Sequence, residues 1–332
     1  MNTHQGIEGL KRVPPGAVMS IGNFDGLHRG HARILQTMHA LRNTQSDARG
    51  APLVVVTFEP HPLAVLRPQL APPRLTPPDM KQRLLQAAGV EELVVLPPTP
   101  AVLGLTAEQF WAILRDQVRP SHLVEGATFN FGKDRRGTID RLRDWAAGSN
   151  VRLHVIDAVQ VPLLDLHIVQ VSSSLIRWLI SYGRVRDAAI CLGRAYTLAG
   201  KVVRGHGRGR QIGIPTANLD CGDQLLPADG VYAARCTLQG TSYPVALSIG
   251  TMPTFGHNPR QVEAHLLDFA ADLYDRFIEV EVIDWIRDQL PFPTVRQLKD
   301  QLLCDFRHVR DRLTLDPTRA CANTIQAMSE AP

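Results

Sequence analysis

The chain has 332 residues, 44% of them hydrophobic and 20% charged, with a formal net charge of +4; this suits two ordinary globular domains and gives no sign of a dedicated nucleic-acid binder. No apolar run reaches membrane-spanning length and residues 1–15 lack an apolar signal core, so no membrane partner and a cytoplasmic location are expected. The five cysteines, at 191, 221, 236, 304 and 321, are odd in number and contain no C-x-x-C, which argues against a disulfide framework or a structural zinc.

In chain order, the first element is an apolar run at 17–21 that reads as a buried strand. It passes into Gly22-Asn-Phe-Asp-Gly-Leu-His-Arg-Gly-His31, and then into a helix from 32 to 38. A glycine-rich turn between strand and helix gathers backbone N–H groups and the positive helix end at one point, which attracts a phosphate. His28 and His31 lie three apart on one face, and Gly30 leaves room between them. The combination suits a site that holds a nucleoside triphosphate and stabilises charge on its reacting phosphorus.

A β-branched strand follows at 53–58. A helix at 79–88 stops at Gly89, and a further strand occupies 92–96. Thr106-Ala-Glu-Gln109 is a capping box opening a helix through 118, and strands at 122–125 and 151–156 complete the set. Apolar strands alternating with helices predict a parallel sheet covered on both faces. Ligands of such sheets bind beyond the carboxyl ends of the strands, where residues 22–31 fall. Further on, Val171-Ser-Ser-Ser-Leu-Ile-Arg177 places hydroxyls at a helix start, as a cap or as phosphate ligands.

Near residue 186 the helical periodicity ends. Strand-like pieces recur at 196–203, 231–238, 243–249, 262–267 and 276–283, punctuated by Gly and Pro as in a small closed barrel. Four glycines between 205 and 213 form a phosphate-friendly loop or a hairpin loop with solubilising arginines. A last helix opens at Thr294-Val-Arg-Gln297 and carries the stripe Val295, Leu298, Leu302, Phe306, Val309 and Leu313, most simply packing on the barrel. The expected domains are 1–185 and 186–316, with 317–332 a loose tail.

The string G-N-F-D-G-x-H-x-G-H, from Gly22 to His31, resembles the signature of the bacterial bifunctional riboflavin kinases/FAD synthetases. The resemblance extends over about 17–315. It implies α/β plus β architecture: an N-terminal Rossmann-like nucleotidylyltransferase domain with a parallel sheet, then a small β-barrel riboflavin kinase domain with a C-terminal helix. The first domain would transfer AMP from ATP to FMN, giving FAD. FMN already carries an anionic nucleophile, so alignment and charge stabilisation suffice. The resemblance assigns Gly22, Asn23, Phe24, Asp25 and Gly26 to ATP, with His28 and His31 as transition-state donors. Ser173, Ser174 and Arg177 match the family's I-S-S-T-x-I-R, with Ser174 in place of threonine, and would hold the leaving phosphates. Within Val56-Thr-Phe-Glu-Pro-His-Pro62, His61 meets the nucleotide or holds the loop. Within 125–137, Thr128 and Phe131 match a flavin-contact segment. Thr128 stands where the family has Asp or Asn, and Phe131 is equally readable as a core residue.

In the second domain, Pro215-Thr-Ala-Asn218 follows G-R-x-x-G-x as in riboflavin kinases. That resemblance implies an ATP loop with Gly205, Arg210, Gly213 and Pro215, and Mg²⁺ held by Thr216 and Asn218, whose oxygens are hard ligands. Val262-Glu-Ala-His-Leu-Leu-Asp-Phe269 matches the family's V-E-x-H-L-L-D-F and makes Glu263 the general base toward a ribityl hydroxyl. Asp305 and Arg310 match positions near the flavin, or form salt bridges of the last helix. Asp275 replaces a usual glycine and Gln289 a usual glutamate. The expected small-molecule partners are riboflavin, FMN and ATP. The alternatives are a riboflavin kinase whose adenylyltransferase is impaired through Thr128, a non-catalytic flavin-binding regulator, and transfer to another adenylyl acceptor.

Overall fold

Buried β-branched runs set the first half of the chain. In the computed structural model, which describes residues 1–205, 208–251 and 260–315, except the side chains of Arg208 and Gln211, they pair in parallel as a six-stranded sheet. Its strands are β1 (Asn2–Gln5), β2 (Val18–Ile21), β3 (Leu53–Phe58), β4 (Glu92–Leu96), β5 (His122–Gly126) and β8 (Arg152–Ile156), in the order β1-β4-β3-β2-β5-β8. A short antiparallel pair, β6 (Asn130–Phe131) and β7 (Gly137–Thr138), lies between β5 and β8 in sequence. The period of two along each strand feeds both faces. Val54 and Val56 enter one core with Met19, Ile21 and Leu123; Leu53 and Val55 enter the other with Val18, Leu35 and Met38.

The helices of this half are α1 (Gly6–Leu10), α2 (Arg29–Thr44), α3 (Pro62–Leu66), α4 (Pro78–Ala87), α5 (Pro100–Leu103), α6 (Ala107–Ala112) and α7 (Ile139–Ala147). The Thr106 capping box is formed reciprocally with Gln109. The helix it opens does not run through to 118 as a regular α-helix. It widens into a π-helix over Ile113–Val118 and ends at Arg119, with φ 54°.

One strand of the six-stranded sheet was not expected. β1 is polar and mostly exposed, so no hydrophobic pattern marks it. It is fixed by its parallel ladder with β4 and by Glu92, which accepts from Asn2 Nδ2 and meets His4 Nε2 at 2.6 Å.

Packing divides the chain into two units. One contains 1–72 and 78–160; the other contains 73–77 and the described residues from 161 onward. The stretch 161–185, which the sequence assigns to the first domain, therefore packs within the second unit. It holds the pair β9 (Gln160–Pro162) and β10 (Ile168–Gln170), then α8 (Ser173–Ser181) and the start of α9 (Val185–Leu192).

The barrel follows. Its strands are β11 (Tyr196–Val203), β12 (Ala217–Asp220), β13 (Gly230–Leu238), β14 (Thr241–Gly250), β15 (Gln261–Leu266) and β16 (Phe277–Arg287), closed in the order β11-β12-β15-β14-β13-β16. Every pairing is antiparallel. β12 begins within the Pro-Thr-Ala-Asn stretch, runs on to Asp220, and was hidden by its mixed polarity. A single turn, α10 (Arg208–Gln211), precedes it, and α11 (Val295–Thr314) closes the unit. Val309 packs on Ala233, Ala246 and Leu267, flanked by Phe306 and Leu313. Val295, expected in the same stripe, is 49% exposed. Asp275 takes a left-handed φ of 61°, the conformation that glycine adopts without steric cost, and pairs with Lys201 Nζ at 2.7 Å. The expected tail at 317–332 and Cys321 lie outside the described residues.

His154 is expected to make the first unit acid-sensitive. His122, fully buried on β5, faces His154 on β8 with Nδ1 and Nε2 2.8 Å apart. Burial, and then the neighbouring His122 and Arg152, lower the His154 pKa from its ordinary 6.5. The folded state therefore holds His154 neutral more strongly than the unfolded chain does. Its contribution is fully present above pH 6.5 and is lost as pH falls below it toward the folded-state pKa. Thermal midpoints from pH 8 to pH 5 should fall, and His154→Gln should flatten that decline. An unchanged pH slope in the variant would contradict the assignment.

Candidate active sites

In the first unit, the turn after β2 is built around its own strain. Phe24 (φ 47°) and Leu27 (φ 38°) are left-handed, as is Gly26 (φ 85°). Non-glycine residues hold such conformations only when surroundings impose them. Phe24 and Leu27 are buried in the core beside Leu35 and Met38, which fixes both ends of the turn. Asp25 and His28 are also buried.

The turn delivers the chain to α2 with His28 as N-cap. His28 Nδ1 accepts the His31 backbone N–H at 3.3 Å, so its other ring nitrogen, Nε2, is not the one held by the cap. The two rings stack at 3.7 Å and 13°, with Phe24 4.8 Å from the His31 ring. Gly30 is required by this stack: a Cβ there would lie 3.0 Å from His28 Cε1. The expected constellation of Gly22 to Gly26, His28 and His31 is thus one compact feature at the carboxyl end of β2.

The floor of the turn contains groups that sequence reasoning missed. The Asn23 carbonyl accepts from Thr57 Oγ1 at 3.0 Å and from Lys81 Nζ at 3.3 Å; Lys81 also pairs with Glu59 at 3.0 Å. Lys81 is 6% exposed. Its signal, a lysine in the first turn of a helix, is indistinguishable in sequence from a solvated one. Glu125 is buried at the end of β5 and accepts the Ile21 N–H at 2.8 Å; burial pushes its pKa well above the usual carboxylate range. His61 caps α3, accepting from Leu63 N–H at 3.1 Å, a contact that holds the loop. Phe131 is buried among Phe110, Phe129 and Trp145 and belongs to the core, whereas Thr128 is exposed.

Ser173, Ser174 and Arg177 lie in the second unit, on the first turns of α8. The cap is Ser172, whose Oγ accepts from Leu175 N–H at 3.2 Å, leaving Ser173 and Ser174 as helical residues. Arg177 Nε donates to the Pro73 carbonyl at 2.8 Å.

The barrel holds the other site. Antiparallel register sets Asn218 of β12 opposite Glu263 of β15, and Glu263 opposite Ser248 of β14. Residues in one such row share a face. All three line a cavity of about 210 Å³ that also includes Gly205, Arg210, Pro215 and Thr216. A second cavity, of about 360 Å³, shares Arg210, Pro215, Thr216 and Tyr274 with it. The two hollows meet at the Pro215–Thr216 turn. The cavity's far wall is apolar: Leu298, Leu302 and Phe306 of α11 with Leu290 and Phe292. Leu298, Leu302 and Phe306 of the α11 stripe thus line the cavity, and Phe306 packs on the barrel cluster as well.

Glycines bring backbone against the polar groups. A Cβ on Gly205 would collide with the Asn218 carboxamide, and one on Gly209 would lie 3.2 Å from Thr216 Oγ1. Gly213, by contrast, has open space around it and a φ of 79°. His265 stacks on Phe306 at 4.7 Å, and its Nδ1 meets the Pro215 carbonyl at 2.7 Å, which makes that nitrogen a donor. Gln289 donates to Ser248 Oγ at 2.8 Å.

Asp305 and Arg310 do not line the cavity. Asp305 is fully buried and binds Arg287, a cavity residue, through two contacts of 2.9 and 2.7 Å, with Gln301 donating at 2.9 Å. Arg310 pairs with Asp268 at 3.0 Å in solvent. Both are ion pairs of α11 with the barrel. Among the described residues no group of three or more His, Cys, Asp or Glu could hold a metal.

Two family models match the chain: FAD synthetase over residues 10–174 and riboflavin kinase over residues 192–313. Proteins described as bifunctional riboflavin kinase/FMN adenylyltransferase are similar along nearly the whole length. That of Pseudomonas fluorescens is 34% identical over 93% of this chain and 97% of its own. That of Escherichia coli K12 is 35% identical over 95% and 96%, and that of Bacillus subtilis 32% over 88% and 91%. A solved Streptococcus pneumoniae structure described as a macrolide-efflux protein shares the fold, with TM-score 0.80 and 30% identity over 93% of this chain and 99% of that one. Among the described residues of this chain, no helix is long and apolar enough to cross a membrane.

Removing Asp305 leaves Arg287 half-buried without its anion. Asp305→Ala should destabilise the protein by about 3 kcal/mol, as for other broken buried pairs. Arg310→Ala, which breaks a solvated pair, should cost no more than about 1 kcal/mol. Denaturant titration measures both, and equal costs would contradict the contrast.

Proposed function

This chain belongs to the bifunctional riboflavin kinase/FMN adenylyltransferase family and carries both domains, and from that premise we propose how its own residues divide the two reactions. The chain phosphorylates riboflavin with ATP to give FMN, and transfers AMP from ATP to FMN to give FAD and pyrophosphate.

Kinase chemistry belongs to the barrel cavity. The observation that carries this reading is the row Asn218–Glu263–Ser248, which aims a carboxylate and two neutral hydrogen-bonding side chains into one hollow. A ribityl hydroxyl is a poor nucleophile until its proton is taken. Glu263 accepts that proton as the oxygen attacks the γ-phosphorus, and ADP leaves. The apolar wall from α11 suits a flavin ring, and the adjoining cavity suits ATP, with transfer at their shared turn. Arg210 and Pro215 line both hollows and Gly205 lines the first, whereas Gly213 lines neither.

Magnesium fits the donor set. Thr216 Oγ1 and the Asn218 carboxamide oxygen are hard, neutral ligands, and glycines 205 and 209 let the backbone approach those side chains closely. Mg²⁺ bound there would neutralise phosphate charge. The protein's own share is to orient those oxygens and to keep Glu263 opposite them.

Adenylyl transfer belongs to the turn after β2. An FMN phosphate oxygen forms the bond to the α-phosphorus as the bond to pyrophosphate breaks. His28 and His31, held by their stack and by the α2 cap, donate to the phosphate oxygens as charge builds. Gly22 to Gly26 supply the backbone of the phosphate turn. Ser173, Ser174 and Arg177 are assigned to the leaving phosphates, and exposed Thr128 to flavin, by the sequence resemblance alone, whereas Phe131 is a core residue.

Two variants separate the sites. Glu263→Gln should abolish FMN formation from riboflavin and leave FAD formation from supplied FMN intact. His31→Ala should do the reverse, with FAD formation down on the order of 10²–10³-fold. Chromatographic separation of the flavins reads both. Loss of both activities in either variant, with the fold intact, would sink the division of labour.

A further inference from the structure

Lys81 presents a cost without an evident structural return. It is buried, and it sits in the first turn of α4, where the helix dipole disfavours a cation. Glu59 offsets the charge at 3.0 Å, with side-chain exposures of 8% for Lys81 and 23% for Glu59. Packing alone would be served as well by an apolar residue. The arrangement does secure one thing: the Asn23 carbonyl, in the middle of the phosphate turn, is gripped by the Lys81 ammonium at 3.3 Å and by Thr57 Oγ1 at 3.0 Å.

That grip has a geometric consequence. Across the trans Asn23–Phe24 peptide, the carbonyl and the next N–H point in opposite directions. A carbonyl drawn down onto Thr57 and Lys81 therefore turns the Phe24 N–H to the other side of the turn. The same grip holds the peptide against the left-handed Phe24 (φ 47°), a conformation that would otherwise relax by flipping the preceding peptide.

We propose that Lys81, neutralised by Glu59 and assisted by Thr57, is a positioning residue of the adenylyltransferase: it locks the Asn23–Phe24 peptide so that the Phe24 N–H faces the ATP phosphates. The proposal rests on the assignment of the Gly22–His31 turn to ATP. It explains why Thr57 and Lys81 converge on one backbone oxygen while Glu59 pairs with Lys81.

The test uses the full chain, with riboflavin phosphorylation as an internal control. Lys81→Met should lower kcat for FAD formation about 10- to 100-fold, less than loss of a direct donor, and raise KM for ATP at least ~3-fold. KM for FMN and the rate of FMN formation should stay within about 2-fold. Lys81→Arg, which retains a cationic donor, should recover most of the loss. A merely structural role would reduce the active fraction, lowering kcat with KM for ATP unchanged. Because Lys81→Met strands Glu59, Lys81→Met/Glu59→Gln is measured beside it, below the onset of unfolding. A folded double variant with normal FAD kinetics overturns the proposal; a folded one with impaired kcat and raised KM for ATP supports it. His31→Ala separates the two layers. Normal FAD formation in His31→Ala overturns the turn's assignment and this proposal with it. An impaired His31→Ala beside a normal Lys81→Met overturns this proposal alone.

Discussion

The barrel's antiparallel register is the constraint on which the second half of the molecule depends. Closing β11 to β16 in the order β11-β12-β15-β14-β13-β16 forces Asn218, Glu263 and Ser248 into one transverse row, although 45 residues of sequence separate the first two. A slip of one residue would turn Glu263 away from the cavity and bring a neighbouring apolar residue in. The buried alternation of Val262, Ala264 and Leu266 prevents that slip. Core packing thus secures the direction of the carboxylate, and the chemistry depends on that direction.

The first unit solves the same problem with strained backbone in place of register. The turn after β2 must present backbone groups outward while Phe24 and Leu27 take left-handed conformations. Burial of both side chains, the grip of Thr57 and Lys81 on Asn23, and the His28 cap on α2 over-determine that shape. Glu125, whose pKa burial raises, supports the end of β2 by accepting the Ile21 N–H.

Much of this was legible in the sequence, for identifiable reasons. β3 and β4 match their expected bounds because both faces of those strands are buried, which leaves an unmistakable apolar run. The motif from Gly22 to His31 was readable because its residues are consecutive. Glu263 and Asn218 were found through local motifs, while their pairing was not, since register is a property of the closed barrel. β1 and β12 escaped because their mixed or polar residues show no apolar alternation. Asp305 matched a family position but acts through Arg287, a partner 18 residues upstream on another element. Lys81 escaped because burial of a helix lysine has no local signature. The boundary expected at 185 followed the change of periodicity, whereas packing carries 161–185 with the barrel unit.

The central claim is that one chain carries two separately built sites, so that FMN made at one is released and consumed at the other. Mixing Glu263→Gln with His31→Ala, neither of which should make FAD from riboflavin alone, tests this directly. With riboflavin, ATP and Mg²⁺, the mixture should produce FAD after a lag in which free FMN accumulates. Failure of the mixture to form FAD, with each variant retaining its own remaining activity, would contradict the account.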